Sequence, residues 1–213
     1  METRDTVFRV GSSILNPCKK FMELWNQVND RFPQYKIQIV PFEDNHDEIL
    51  SVIEQLGVKF DFIVGVCDSR RWLSRCNMLQ LGSYKKCVSV SSDHRLAHKK
   101  RLNITDLYGE TLVMVKRGDS TTNDSIRDNL EINHPEIHVQ DAEHFYDMEV
   151  FNHCEQSGHV LLNLECWKEV HPTLVTIPVN WSYTIPYGLM YPLNPTPDVQ
   201  QLIAILKDTL AIS

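Results

Sequence analysis

Phe60-Asp61-Phe62-Ile63-Val64-Gly65-Val66 is a nearly continuous apolar run in a chain of 213 residues. A strand with one wet face alternates polar and apolar side chains, so a run without alternation reads as a strand buried on both faces of a parallel sheet. Upstream, Glu48 to Leu56 carries Ile49, Val52, Ile53 and Leu56 on one helical face, and Gly57 is placed to end that helix. Lys36 to Val40 alternates as a strand. Before it, Phe21, Leu24, Trp25, Val28 and Phe32 recur at helical spacing until Pro33 stops the pattern. Gly11-Ser12-Ser13 precedes that stripe. A serine hydroxyl can accept from the open N–H groups of a first helical turn, so the helix is expected to start there. With Val7 to Val10 as the first strand, the order is β-α-β-α-β, the pattern of a parallel α/β layer.

Downstream, Met78 to Leu81 and Lys86 to Val90 read as two strands, and Asn103-Ile-Thr-Asp as a helix start. Thr111 to Val115 is a strong strand, Ser125 to Leu130 is helical, and Ile137 to Gln140 is a strand. Asp147 to Gln156 is a helix closed by Gly158, and His159 to Leu164 is again a buried strand. A second β-α-β-α-β run thus occupies about residues 111–164, and two such runs predict two similar lobes. Val175 to Val179 reads as an edge strand, because Pro178 lacks a donor. Tyr187 to Tyr191 is the last strand, and Val199, Leu202, Ile203, Leu206 and Leu210 mark a terminal helix.

Composition excludes several functions. Hydrophobic residues make up 42% and charged residues 23%, the balance of an ordinary folded domain. No apolar run reaches membrane-spanning length, and Met1-Glu-Thr-Arg-Asp has no secretory apolar core, so a cytoplasmic protein is expected. The net charge of −7, with only short basic clusters such as Lys99-Lys100-Arg101, argues against nucleic-acid contact by this chain alone. Cys18, Cys67, Cys76, Cys87, Cys154 and Cys166 form no CxxC pair, so zinc-ribbon and thioredoxin chemistry fail and reduced thiols are expected. Neither HExxH nor GxSxG occurs. His46, His94 and His98 stand in polar loops, and His134 and His171 precede prolines. An enzyme is not expected, nor a catalytic residue, cofactor or metal.

Five phrases, in order, resemble the effector-binding domain of LysR-type transcriptional regulators. They are Phe8-Arg-Val-Gly-Ser-Ser with a helix ending Arg31-Phe-Pro, then Leu56-Gly-Val-Lys-Phe-Asp-Phe-Ile-Val-Gly, then Asp93-His-Arg-Leu-Ala. Asp106-Leu-Tyr-Gly-Glu-Thr-Leu-Val and Pro186-Tyr-Gly-Leu-Met-Tyr complete the set, and Arg95 stands where the family usually has proline. The resemblance runs from Val7 to the end, and the family's winged helix-turn-helix and linker helix are not part of this sequence. It implies a type II periplasmic-binding-protein-like fold of two Rossmann-like lobes with mostly parallel sheets. Residues 1–6 would be a leader, 7–88 with 190–213 lobe I, and 89–189 lobe II. Crossover strands would lie near Val88 to Ser91 and Gly188 to Tyr191. A small-molecule effector would bind between the lobes and act on a DNA-binding domain elsewhere. The family also implies a side-by-side homodimer, or a tetramer for a full-length regulator, using the first helix. Phe21, Met22 and Trp25 would supply its apolar face, unless that stripe is all internal core. A solute-binding protein for small anions or amino acids shares the fold and is the alternative.

Ligands of parallel α/β layers lie beyond the carboxyl ends of strands. That rule selects Ser12 and Ser13 after the first strand, Asp44 and Asn45 after the second, and Val66 at the end of the third. In the second lobe it selects Lys116, Arg117, Ser120 and Thr121, then Asn163, with Tyr146 as a further candidate. Ser12 and Ser13 either hold an anion or only cap the helix. Lys116 to Thr121 is either a ligand loop or an ordinary polar one. The hydroxyl and basic content points to a small carboxylate, whereas Asp44 on the opposite lip would favour an amino-acid-like ligand. Cys67 and Cys76 are spaced like the pair of the family's peroxide sensor. That pair, however, follows the strand corresponding to Thr111 to Val115, where this chain has no cysteine.

Overall fold

The computed structural model describes residues 5–212. In the first lobe, β1 (Thr6–Ser12), α1 (Lys19–Trp25), β2 (Tyr35–Pro41), α2 (Ile49–Glu54) and β3 (Phe62–Val66) follow in the expected order, and a short α3 (Arg70–Leu73) comes next. β4 (Asn77–Ser91) leads into the second lobe. There β5 (Thr111–Met114), α4 (Thr121–Asn133), β6 (His138–Asp141), α5 (Met148–Ser157) and β7 (Val160–Leu164) repeat the pattern. β8 (Leu174–Pro178), β9 (Thr184–Tyr191) and α6 (Pro197–Ile212) complete the chain. Of the expected 1–6 leader, residues 1–4 lie outside the described residues, and Thr6 already pairs with Tyr35 in β1.

Each lobe is built on a parallel trio, β2-β1-β3 in one and β6-β5-β7 in the other, flanked by antiparallel strands. β3 is buried at every residue, as its unbroken apolar sequence demands. Helices cover both faces. Phe21 and Trp25 of α1 and Leu202 and Leu206 of α6 pack on Phe8, Val10 and Phe62. Ile49 and Ile53 of α2 cover the other face with Phe60, Ile63 and Trp72. In the second lobe, Ile126 and Leu130 of α4 pack on one face, and Phe151 and Cys154 of α5 on the other. Phe21 is 1% and Trp25 4% exposed, so two of the three side chains expected to meet a partner copy serve the lobe's own core, and only Met22 stays partly open.

Three readings of local structure are corrected. α1 does not start at Ser12-Ser13: Ser12 still lies in β1 opposite Pro41, and α1 begins behind Cys18, which makes no side-chain cap. Pro17 disfavours helical backbone at Asn16, and the segment closes a turn instead, with Ser13 and Asn16 exchanging backbone hydrogen bonds of 3.1 and 3.2 Å. Met78–Leu81 and Lys86–Val90 are not two strands but parts of one. Asn77 to Lys85 pair with β9, whereas Lys86 to Ser91 pair with β7 and β8. The change of partner falls between Lys85 and Lys86, ahead of the Val88–Ser91 crossover read from the sequence. Helix α4 also begins ahead of the expected Ser125, at Thr121, because the Ser120 hydroxyl accepts from the Asn123 N–H at 3.1 Å and caps the helix.

The β4–β9 ladder shifts register between Gln80 and Gly82, and there the two backbones come very close. A Cβ on Gly188 would stand 2.1 Å from the Leu79 carbonyl oxygen. Backbone cannot yield as a flexible side chain can. Gly188→Ala is therefore expected to destabilise the fold by at least about 1–3 kcal/mol, the usual penalty of overpacking. Chemical denaturation of the two proteins measures this, and equal midpoints would refute the close approach.

Candidate functional site

The carboxyl ends of both parallel trios face one another across a cavity of about 90 Å³. That is room for a small ligand or a cluster of waters. Leu15, Asn16, Asp44 and Asn45 approach from the loops after β1 and β2, and Val66 to Ser69 from the end of β3. The second lobe contributes Asp119, Ser120 and Asn123 after β5, and His144 to Tyr146 after β6. Lys86 and Ile185 line it from the two strands that pass between the lobes, and Trp72, Leu164 and Trp167 add apolar wall.

A buried asparagine organises the first-lobe side. Asn16 donates through Nδ2 to Ser13 Oγ at 3.0 Å and to Asp44 Oδ1 at 3.2 Å, and its Oδ1 accepts from the Val66 N–H at 3.0 Å. Asp44 also accepts from Ser13 Oγ at 2.6 Å and from the Leu15 N–H at 2.9 Å. One amide thus ties three strand ends together, and the Asp44 carboxylate is largely consumed in doing so. Burial raises its pKa above the usual carboxylate value, although these donors oppose the shift.

Polar contacts bridge the lips. On one side the Asp119 carboxylate accepts from the Ser69 hydroxyl and, at 2.9 Å, from the Arg71 N–H. The Thr122 N–H donates to Asp68 Oδ2 at 3.0 Å, and Ser69 and Ser120 form an isolated antiparallel bridge. On the other side His46 Nδ1 bonds the Asp147 carboxylate, which also caps α5. Between them Trp167 Nε1 donates to the Leu15 carbonyl at 2.8 Å, and the Trp72 and Phe145 rings meet at 5.7 Å. Groups from both lobes thus meet across the rim of the cleft.

Within these walls several polar atoms have nothing to bond. Trp72 Nε1, Asn123 Oδ1 and His144 Nδ1 are buried without a partner. Lys86 is 5% exposed, and among the described residues its ammonium makes no hydrogen bond or ion pair. Burial pulls its pKa down to about 8, while the nearby Asp68 charge opposes the shift. Cys67 also lines the cavity, yet burial pushes its thiol far up and that of Cys76 up to about 11. Neither is a reactive thiolate at neutral pH.

Of the residues chosen from sequence, Asp44, Asn45, Val66, Ser120 and Tyr146 line the cavity. Ser13 stands behind Asp44 and supports it, and Ser12 Oγ is used on the Asn16 carbonyl at 3.0 Å. Lys116 and Arg117 point away: the first pairs with Glu143 at 3.2 Å, and the second with Asp128 at 2.5 Å and Glu131 at 3.1 Å. Thr121 is exposed in the first turn of α4. Asn163, 1% exposed, has its amide on Ser89 and Thr176 within the second-lobe sheet and does not reach the cavity. Lys86, Asp68, Ser69, Asn123, His144 and Phe145 were missed. The strand-end rule would have reached Asp68 and Ser69 had it run past Val66, and His144 and Phe145 had it been applied to β6. Lys86 becomes visible only once β4 is one strand, because alternation then places Tyr84 and Lys86 inward and Lys85 outward.

Residues 4–211 match the family model described as the LysR substrate binding domain. No curated protein sequence matches the chain. Among solved structures, the oxidized form of OxyR is similar with a TM-score of 0.60 and 16% identity, over 99% of this chain and 98% of that one. The effector-binding domain of QuiR in complex with shikimate gives 0.63 and 15%, over 97% and 95%. The regulatory domain of CcmR from Synechocystis PCC6803 in complex with 2-PG gives 0.57 and 13%, over 97% and 96%. Identities this low speak to the fold alone.

The His46–Asp147 contact makes lobe closure sensitive to pH. The Asp147 carboxylate raises the His46 pKa, with Asp47 and Glu143 adding to the effect and partial burial opposing it. A histidine with a raised folded-state pKa contributes fully below its unfolded value of about 6.5, and that contribution is lost as pH rises through the folded value. His46→Gln, which leaves the Asp147 cap intact, is therefore expected to lower Tm more at pH 6 than at pH 8.5. A difference independent of pH would remove the charged pair.

Proposed function

The chain belongs to the family of LysR substrate-binding domains, and from that premise we propose that it is the ligand-sensing part of a LysR-type bacterial transcriptional regulator. A cytoplasmic small molecule binds in the cleft, and the change is passed to a DNA-binding domain elsewhere in the regulator. The domain works as part of a homodimer, or of a tetramer in the full regulator, and performs no catalysis. The observation carrying this reading is the interlobe cavity with unpaired Trp72, Asn123 and His144 atoms in its wall. Buried polar groups are nearly always satisfied in folded proteins, so several orphans around one cavity mark a place where a ligand supplies the partners.

The division of labour follows from the pairing pattern. Among the described residues two strands pass between the lobes, so small dihedral changes near Lys85 and Lys86, and near Tyr183 and Thr184, would rotate one lobe on the other. A ligand shifts that equilibrium only by binding one arrangement better. A molecule touching Asn16 or Asp44 on one lip and Asn123 or His144 on the other meets that condition, since opening removes half its contacts. QuiR holds shikimate and CcmR holds 2-PG in structures of the same fold, which supports a small metabolite as effector here.

A thermal-shift screen of small acids, amines and neutral metabolites tests the reading. A ligand at 100 times its Kd should add roughly 2.7 kcal/mol of stability. Asn123→Leu removes a side chain whose carbonyl oxygen has no partner, so the unliganded variant should melt with the wild type. Its affinity for a hit should fall about tenfold, the loss of one good hydrogen bond. Hits that ignore Asn123→Leu would place binding outside this cleft, and an absence of hits in every class would tell against a small-molecule sensor.

A further inference from the structure

Resting on that reading, we propose that the effector is a singly charged carboxylate, and that the Lys86 ammonium on the shared strand β4 is the group that receives its charge. Three observations converge. First, Lys86 is buried on the cavity wall with no acceptor at its Nζ. Its Nζ is not among the fully buried atoms, so it meets solvent only through the cavity; an ammonium with most of its hydration removed and no protein acceptor is costly, and sequences keep such a group where a function needs it. Apart from the field of Asp68, its surroundings do not call for a lysine: Leu164 and Ile185, which line the same wall, are apolar, and a neutral chain of the same length would pack there.

Second, most other charged groups near the cavity are committed. Lys116 and Arg117, the cations the sequence offered, are neutralised by Glu143, Asp128 and Glu131 outside it. Asp44 is held by Ser13, Leu15 and Asn16, and Asp119 by Ser69 and Arg71. Asp68 accepts from the Thr122 N–H, and although its field reaches Lys86, the two make no ion pair. Asp44 and Asp119 thus have both oxygens engaged and Asp68 one of its two, whereas the one lysine ammonium in the described lining has no protein acceptor. A single cation matches one negative charge, and a phosphate dianion would leave the second charge facing Asp68 and Asp119.

Third, Lys86 lies at the point where β4 changes partners. Its backbone N–H donates to the Tyr183 carbonyl at 2.9 Å, and its carbonyl accepts from Trp181 Nε1 at 2.8 Å. Both partners belong to the segment entering β9, the other interlobe strand. A charge received at Lys86 thus pulls on the residue whose backbone fastens the two crossovers together, which joins charge recognition to lobe rotation.

The test compares benzoate, lactate and cinnamate with their carboxamides, with benzylamine and with inorganic phosphate. Each is titrated against wild type and Lys86→Met by thermal shift and calorimetry. The expected result has two parts. At least one carboxylate stabilises the wild type while its carboxamide does not, with affinity lost at least tenfold in Lys86→Met. Unliganded Lys86→Met melts above the wild type, because an uncompensated charge has been removed; Lys86→Gln is the second variant should the first fold poorly. Binding by carboxamides, the amine or phosphate but by no carboxylate overturns the proposal and leaves the sensor reading intact. So does undiminished carboxylate binding in Lys86→Met, or a variant that melts well below the wild type, which would make the lysine structural. No stabilisation by any probe counts against both readings, and a Tm rise in unliganded Lys86→Met does not rescue the carboxylate assignment in that case.

Discussion

One strand serves two sheets. β4 hydrogen-bonds β9 along its first part and β7 and β8 along its second, so both lobes are propagated from a single backbone. Much else follows from that constraint. The parallel trios are laid on either side of the shared strands with their carboxyl ends toward each other, which is why the ligand-sized space lies between the lobes and not within one. The β4–β9 approach must be close enough to transmit twist, and this removes the side chain at Gly188. A residue in the middle of such a strand, buried by both lobes at once, is the only kind that can feel their relative position directly, and Lys86 occupies that place.

The contacts across the lips are numerous but individually modest. Hydrogen bonds such as Thr122 to Asp68 or Trp167 to Leu15 are each worth about 0.5–1.5 kcal/mol net, since open lobes would offer these groups to water. The lobe cores are of another order: Phe8, Phe62, Leu202 and Leu206 on one side, and Leu112, Met114 and Leu162 on the other, have no exposure to regain by a small rotation. The molecule is therefore stiff within lobes and soft between them. The Asn16 amide sharpens the contrast by fastening three strand ends of the first lobe into one rigid lip.

The fold was legible because burial leaves a periodic mark. Phe62 to Val66, Thr111 to Met114 and Val160 to Leu164 are apolar without interruption, and helices with one apolar face alternate with them. The site was half legible for a related reason: the strand-end rule is geometric, and it reached Asp44, Asn45, Val66 and Ser120. It failed where polar residues had local partners that the sequence does not display. Arg117 looked like an anion receptor, yet Asp128 and Glu131 stand on the neighbouring helix face and neutralise it. Asn163 looked unpaired at the end of a buried strand, yet Ser89 and Thr176 meet it across the sheet. The serine pair read as a helix start because the capping signal is strong, and Pro17 four residues on overruled it. Splitting β4 in two had the largest consequence, since it placed Lys86 at a strand end instead of in a buried interior.

Carrying an unpaired ammonium at the hinge lowers the stability of the empty domain, and that loss defines what a ligand can do. A group already satisfied by the protein gains nothing when a ligand arrives, so a fully compensated cleft would bind weakly and close without being asked. A cleft with orphaned donors and acceptors holds back part of its closing free energy until the missing partners are supplied. The lip contacts alone set a shallow bias toward closure; partners for Lys86, Asn123 and His144 would deepen it, and the ratio of the two sets how far a ligand moves the balance. A sensor needs that ratio: were the lips much stronger the empty state would already be closed, and were the orphans fewer the ligand could not move the balance. The unsatisfied atoms of the cavity wall stand on both lobes, Trp72 on the first and Asn123 and His144 on the second, with Lys86 on the strand between them. In that position the cost of leaving them bare is coupled to the motion that reports the ligand.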